Sequence, residues 1–204
     1  METVEVALLA LMAAAVAALV LAERADSQAG KWVAKPLASA AFVALGWPGV
    51  DALLFAALVL SFLGDLCLVP KDRRVFRAGI LLFLLAHVAF GGAFLLRAPS
   101  WPVVALALVP LVAAALVVAR WILGRVPREL KGAVVAYMVV ITAMVALAAG
   151  TTPWLFLPAL AFWTNDILLA RDRFVQRSWL NRLYGLPLYY GAMAVFALFA
   201  RGTL

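Results

Sequence analysis

Residues 52–77 read ALLFAALVLSFLGDLCLVPKDRRVFR. From Ala52 to Val69 the run is apolar apart from Ser61, Gly64 and Asp65, and it is followed by Lys71, Arg73, Arg74 and Arg77. A bilayer-spanning helix needs about 20 mostly apolar residues. A basic cluster at its end marks the cytoplasmic surface. One carboxylate, Asp65, sits inside the run. Ionisable residues within a span are costly to bury, so Asp65 is a functional candidate.

The whole chain has the same character. Of its 204 residues 68% are hydrophobic and only 13% are charged, with a mean hydropathy of +1.09. A soluble domain is about half apolar and about one quarter charged. The composition therefore excludes a soluble globular enzyme and a disordered chain. Cys67 and His87 are the only residues of their types. They can make neither an intrachain disulfide nor a four-ligand Cys/His zinc site, so no metal is expected. The net charge of +7 is spread between apolar runs. It points to an anionic leaflet as partner rather than to nucleic acid.

Eight spans are predicted: Val4–Ala22, Trp32–Gly46, Ala52–Val69, Phe76–Leu96, Pro102–Leu123, Gly132–Ala149, Pro153–Ala170 and Leu183–Ala200. The second is the shortest. Of the 17 basic residues, 15 fall in the odd-numbered loops, leaving Arg97 and Arg201. Basic loops stay in the cytoplasm. Both termini are therefore expected outside, and an even number of spans follows independently. The residues before the first span are acidic, Glu2 and Glu5, which argues for a retained helix over a cleaved leader. The expected architecture is an all-α integral membrane protein, one transmembrane helical domain over residues 1–204, multi-pass in a cell membrane. The abundance of Ala and the excess of Arg over Lys suggest a bacterial inner membrane.

A second carboxylate repeats the first. Gly64-Asp65-Leu66-Cys67-Leu68 and Asn165-Asp166-Ile167-Leu168-Leu169 each precede a basic stretch, and their aspartates lie 101 residues apart. Each falls on the third helix of a four-helix half, which suggests a parallel duplication. Asp65 lies six residues before Lys71, and Asp166 five before Arg171. At 1.5 Å per residue both sit roughly 8–9 Å inward from the basic belt. Lys35, Tyr137, Tyr189, Tyr190 and Asn165 lie at similar height, and His87 lies deeper. These are candidate substrate-binding residues. Each also has a plainer reading: Lys35 as part of the basic belt, the tyrosines as an aromatic belt, His87 as an interhelical hydrogen bond. Asp51, Asp72, Asp172 and Glu129 are read as loop carboxylates that pair with nearby Arg.

Two carboxylates in a poorly solvated cleft provide a general acid beside a general base, because one ionised group disfavours ionisation of the other. Such a pair serves hydrolysis of peptide or ether bonds. The residues leave open which aspartate is acid and which is base. A small transporter carrying protons on the same aspartates is the alternative. Against it, both carboxylates lie toward one side of the membrane.

Lys35-Pro36-Leu37, Gly64-Asp65, Phe76-x-x-Gly79, Phe83-Leu84-x-Ala86-His87 and Phe162-x-x-Asn165-Asp166-x-x-Leu169-Ala170, followed by Arg173-Phe174, occur in that order. Together they resemble the lysoplasmalogenase family of YhhN-like membrane proteins, over Lys35 to Tyr190. Asn165 stands where the family pattern favours Ser, and Phe90 where it favours Tyr. The resemblance implies hydrolysis of the vinyl-ether bond of a lysoplasmalogen to a fatty aldehyde and a glycerophospho-headgroup. It implies Asp65 and Asp166 as the catalytic pair, a lysophospholipid or ether lipid as substrate, and no cofactor. Lys35 and loop arginines would then meet the phosphate.

Overall fold

The computed structural model describes residues 2–202. Eight helices follow one another: α1 (Thr3–Arg24), α2 (Gln28–Leu45), α3 (Ala52–Leu68), α4 (Arg73–Leu96), α5 (Trp101–Ile122), α6 (Arg128–Ala149), α7 (Pro153–Phe174) and α8 (Trp179–Arg201). No strand occurs among the described residues. Six helices are long and apolar enough to cross a membrane; α3 is a shorter apolar helix, and α2 is not in that set. The protein is a multi-pass helical membrane bundle. Most helices begin earlier or end later than their apolar runs. In α2, α3 and α4 the start is set by a side-chain cap rather than by hydrophobicity. Ser27 accepts a hydrogen bond from the Gly30 amide and starts α2 four residues ahead of Trp32. Asp72 does the same for α4 by accepting from Arg74 and Val75. Lys35 thus lies two turns inside α2 rather than at its start.

Contacts among the connections settle which ends lie together. On one end, Arg177 after α7 pairs with Asp26 after α1 at 2.9 Å. Gln28 donates to the Val69 carbonyl, and Arg173 stacks over Phe76. These contacts join the first, third and seventh connections, and Arg77 faces Glu129 of the fifth. On the other end, Arg97 binds Asp51 at 2.6 Å, and the Ser100 amide donates to the Gly150 carbonyl. The Asp51 amide donates to the Ala200 carbonyl, and Arg201 binds Glu2 and Glu5. Both chain ends therefore lie opposite the basic connections, as an even number of spans requires. Asp26 belongs to the basic end. Its hydrogen bond from Lys31, and then that from Arg177, hold its carboxyl down to about 2. Whatever this exposed clasp contributes is present above the ordinary carboxylate range and is lost only as pH falls toward 2.

Within each half, consecutive helices pack against one another: α1 on α2, α2 on α3, α3 on α4, and likewise α5 to α8. Between the halves, α2 packs on α8 and α4 on α6, equivalent pairs in a duplicated four-helix unit. The pairing α1 on α8 has no equivalent between α5 and α4. α3 and α4 approach closely. A Cβ at Gly64 would lie 2.8 Å from the Phe83 ring, and one at Gly79 would lie 3.1 Å from Cys67 Cβ. Small residues let helix backbones approach closely where no water drives association. The core is a set of packed rings, among them Phe42, Phe83, Phe90, Phe162, Tyr189 and Phe196. Outward faces are apolar: α5 buries only Val104, Leu111 and Ile122, and exposes Leu106, Val109 and Val117. That distribution suits lipid and not water.

Orientation is testable by reporter fusions. A tag after Arg201 is expected to be accessible from outside the cell, and one inserted between Arg125 and Lys131 only from the cytoplasm. A cytoplasmic carboxy-terminus would contradict the charge argument.

Candidate active site

Asp65 is 1% exposed, on the face of α3 that meets α2 and α8. One of its oxygens, Oδ1, lies 2.9 Å from Lys35 Nζ. The other, Oδ2, accepts from Ser39 Oγ at 2.7 Å and from the Tyr189 hydroxyl at 2.8 Å. Ser39 Oγ is 3.0 Å from the Tyr190 hydroxyl. Lys35 and Ser39 are four residues apart and so project from one face of α2. Tyr189 and Tyr190 are adjacent on α8, and their rings meet edge to face at 4.8 Å. Both carboxylate oxygens of Asp65 are thus engaged, as burial requires.

Asp166 has a different environment. Its Oδ2 accepts from the Tyr137 hydroxyl of α6 at 2.6 Å, and its Oδ1 accepts from Asn165 Nδ2 at 3.2 Å. The side chain of His87 on α4 is fully buried, with Nδ1 2.6 Å from the Phe83 carbonyl. A carbonyl only accepts, so Nδ1 carries the proton and Nε2 presents a lone pair in the neutral ring. Nε2 is 3.6 Å from Asp166 Oδ2 and has no hydrogen-bond partner. That gap is too long for a direct hydrogen bond. On the α8 side, Gly185 makes room for Asn165: a Cβ there would stand 2.9 Å from Asn165 Oδ1.

The cleft expected to be shared by the two aspartates is divided. α3 and α7 do not pack against each other. Between the two polar clusters stand Phe83, Phe162 and Tyr189, with ring centroids 5.2–6.3 Å apart. A cavity lined chiefly by α4, α5, α6 and α7 reaches Asp166 and Tyr137; Asp65 is not among its lining residues. Its walls are otherwise largely apolar, including Ile80, Phe83, Val118, Met138, Ile141 and Trp163. Of the residues singled out from sequence, Lys35, Tyr189 and Tyr190 gather around Asp65. His87, Asn165 and Tyr137 gather around Asp166. Lys35 turns inward to its carboxylate, away from the loop arginines. Ser39 was missed; its only sequence signal was its place one turn beyond Lys35. Of the carboxylates read as loop residues, Asp51 pairs with Arg97 and Asp172 with Arg182 at 2.8 Å, but Asp172 lies in the last turn of α7 and Glu129 in the first turn of α6 rather than in loops. Among the described residues no group of His, Cys, Asp and Glu has the arrangement of a metal site.

A family model described as the YhhN family matches residues 30–200. The chain belongs to the YhhN family. No curated protein and no solved structure matches it significantly. The family match contains both aspartates and every side chain that contacts them. It leaves out all of α1, which supplies none of these contacts. In this YhhN-family protein the two clusters are therefore built by α2, α3 and α8 on one side, and by α4, α6 and α7 on the other.

The Lys35–Asp65 pair makes an energetic prediction. Removing one partner strands the other in a site without water, which costs about 3–5 kcal/mol. Asp65→Asn is expected to lower thermal stability in detergent. Adding Lys35→Met to it should recover most of the loss. A double variant as unstable as Asp65→Asn would contradict the pairing.

Proposed function

We propose that this YhhN-family protein is a membrane-embedded hydrolase that cleaves the vinyl-ether bond of a lysoplasmalogen. The observation that carries the reading is a carboxyl, Asp166, at the wall of an otherwise largely apolar cavity, held by Tyr137 and Asn165 and facing the bare Nε2 of His87. An apolar cavity suits a hydrocarbon chain. A carboxyl within it, with no Lys or Arg paired to it, suits proton transfer to that chain.

The chemistry is simple to balance. Asp166 donates its proton to the outer carbon of the C=C–O unit, leaving an oxocarbenium ion and a carboxylate. The new negative charge lies beside the new positive one and stabilises it. Water admitted beside Asp166 attacks the cationic carbon. Its proton returns to Asp166, and the hemiacetal collapses to an aldehyde and the glycerol hydroxyl. Tyr137 keeps the carboxyl oriented throughout. Asp65 is the second carboxylate, with a different task. Fixed by Lys35 and Ser39, it holds Tyr189 against Phe162, and Phe162 packs on His87 at 4.5 Å. No residue in either cluster calls for a cofactor. The proposed setting is a cell membrane, with the basic end in the cytoplasm.

Kinetics of purified protein test the reading. Asp166→Asn keeps size and accepts Tyr137's hydrogen bond, yet has no proton to give. Turnover of lysoplasmalogen should fall about 10²–10⁴-fold with the fold intact. Normal turnover by folded Asp166→Asn protein would refute Asp166 as the acid. No hydrolysis by wild type, together with proton-coupled uptake of a solute in proteoliposomes, would favour transport instead.

A further inference from the structure

A second cavity lies at the basic end of the bundle. It is lined by Arg73, Arg77, Arg125 and Arg173, with Glu129 the one carboxylate. It adjoins the apolar cavity, because Phe76, Arg173 and Phe174 line both. Resting on the hydrolase reading, we propose that this arginine pocket binds the phosphate of the lysolipid and so sets how far its chain enters toward Asp166.

Charge supports the assignment. Four guanidinium groups face one carboxylate, and Glu129 is 3.9 Å from Arg77, with both side chains more than half exposed. Elsewhere at this end Asp26 serves Lys31 and Arg177, and Asp172 serves Arg182. Other basic residues of this end, such as Lys71, Arg74, Arg128 and Lys131, lie outside the cavity, whereas Arg73, Arg77, Arg125 and Arg173 converge on it. Lys35 is committed to Asp65 and does not supply this charge. The guanidinium carbon of Arg173 lies 4.0 Å from the Phe76 ring centroid, which fixes its plane while leaving N–H edges free. Arg125 spends one N–H on the Trp121 carbonyl and keeps the others. Arginine forks match phosphate oxygens two at a time.

Spacing supports it as well. Arg173 is two helical turns beyond Asp166 on α7, about 10 Å along the axis. A glycerol unit puts five bonds between phosphorus and the ether oxygen, a shorter span, and the reach of the guanidinium and carboxyl side chains covers the rest. A phosphate held by the arginines thus leaves the vinyl ether near Asp166 and the rest of the chain among Ile80, Val118, Met138 and Ile141. Free phosphate shares the headgroup chemistry. Only a lysolipid also uses the adjoining apolar cavity.

Binding, separated from turnover, tests this. The probes are a saturated 1-alkyl lysophospholipid, which lacks the vinyl group, the matching 1-alkylglycerol without phosphate, and inorganic phosphate. Each is titrated calorimetrically into purified full-length protein in an uncharged detergent. The lysophospholipid should bind at least about tenfold more tightly than the alkylglycerol. Arg73→Gln, Arg77→Gln and Arg173→Gln should each erase about tenfold of that affinity, while leaving the alkylglycerol unchanged. Arg74→Gln removes the same charge outside the cavity and should bind like wild type. Equal affinity for the two alkyl lipids, or equal loss in Arg74→Gln, would overturn the pocket. Inorganic phosphate binding as tightly as the lysophospholipid would overturn the lipid as its occupant. If the binding pattern holds but lysoplasmalogen is not hydrolysed, the hydrolase reading fails and the headgroup site stands.

Discussion

Water cannot solvate a charge in the middle of this bundle, and the Lys35–Asp65 pair answers that constraint. Two ions taken from water lose several kcal/mol of hydration each. They persist only where geometry and further hydrogen bonds return most of it. Here Ser39 and Tyr189 complete the carboxylate, and Tyr190 completes Ser39. These partners come from α2 and α8, so satisfying one carboxylate on α3 fixes three helices. Gly64, next in sequence to Asp65, lets Phe83 of α4 press against the same helix. Phe83 meets Tyr189 and Phe162, and the second cluster is then built against that ring layer. The arrangement around His87 and Asp166 depends on the pair without touching it.

The two clusters divide the polar tasks of the protein. The one around Asp65 is closed, with a cation opposite the anion and both carboxylate oxygens engaged. The one around Asp166 is open: it borders a cavity, and His87 Nε2 is left without a partner. A buried polar atom left unpaired costs free energy, so its retention is informative. On the hydrolase reading, a closed charged anchor beside an open polar wall combines a rigid frame with a reactive surface.

Much of this was legible in the sequence. Long apolar runs and the sorting of basic residues into alternate connections gave the helix count and the common side of the termini, because both follow from solvation at a bilayer. Asp65 and Asp166 stood out for the same reason. The helix limits were less legible, since Ser27, Asp51 and Asp72 cap helices beyond or at the edge of the apolar runs. The separation of the aspartates was not legible. Depth along a helix follows from counting residues, but rotation about the axis and the intervening Phe83, Phe162 and Tyr189 depend on packing. Ser39 escaped notice because a small hydroxyl in a span is common; only Asp65 makes it matter. Lys35 looked like part of the basic belt because the cap that starts α2 a turn before Trp32 is visible only in the fold.

The central claim is that the protein protonates carbon in a vinyl ether and lets water complete the cleavage. The most direct measurement is to give lysoplasmalogen to the purified, chelator-treated protein in D₂O and analyse the aldehyde by mass spectrometry. The account predicts enzyme-dependent aldehyde carrying one solvent-derived deuterium on the carbon next to its carbonyl. No enzyme-dependent aldehyde, or aldehyde without that deuterium, would contradict it.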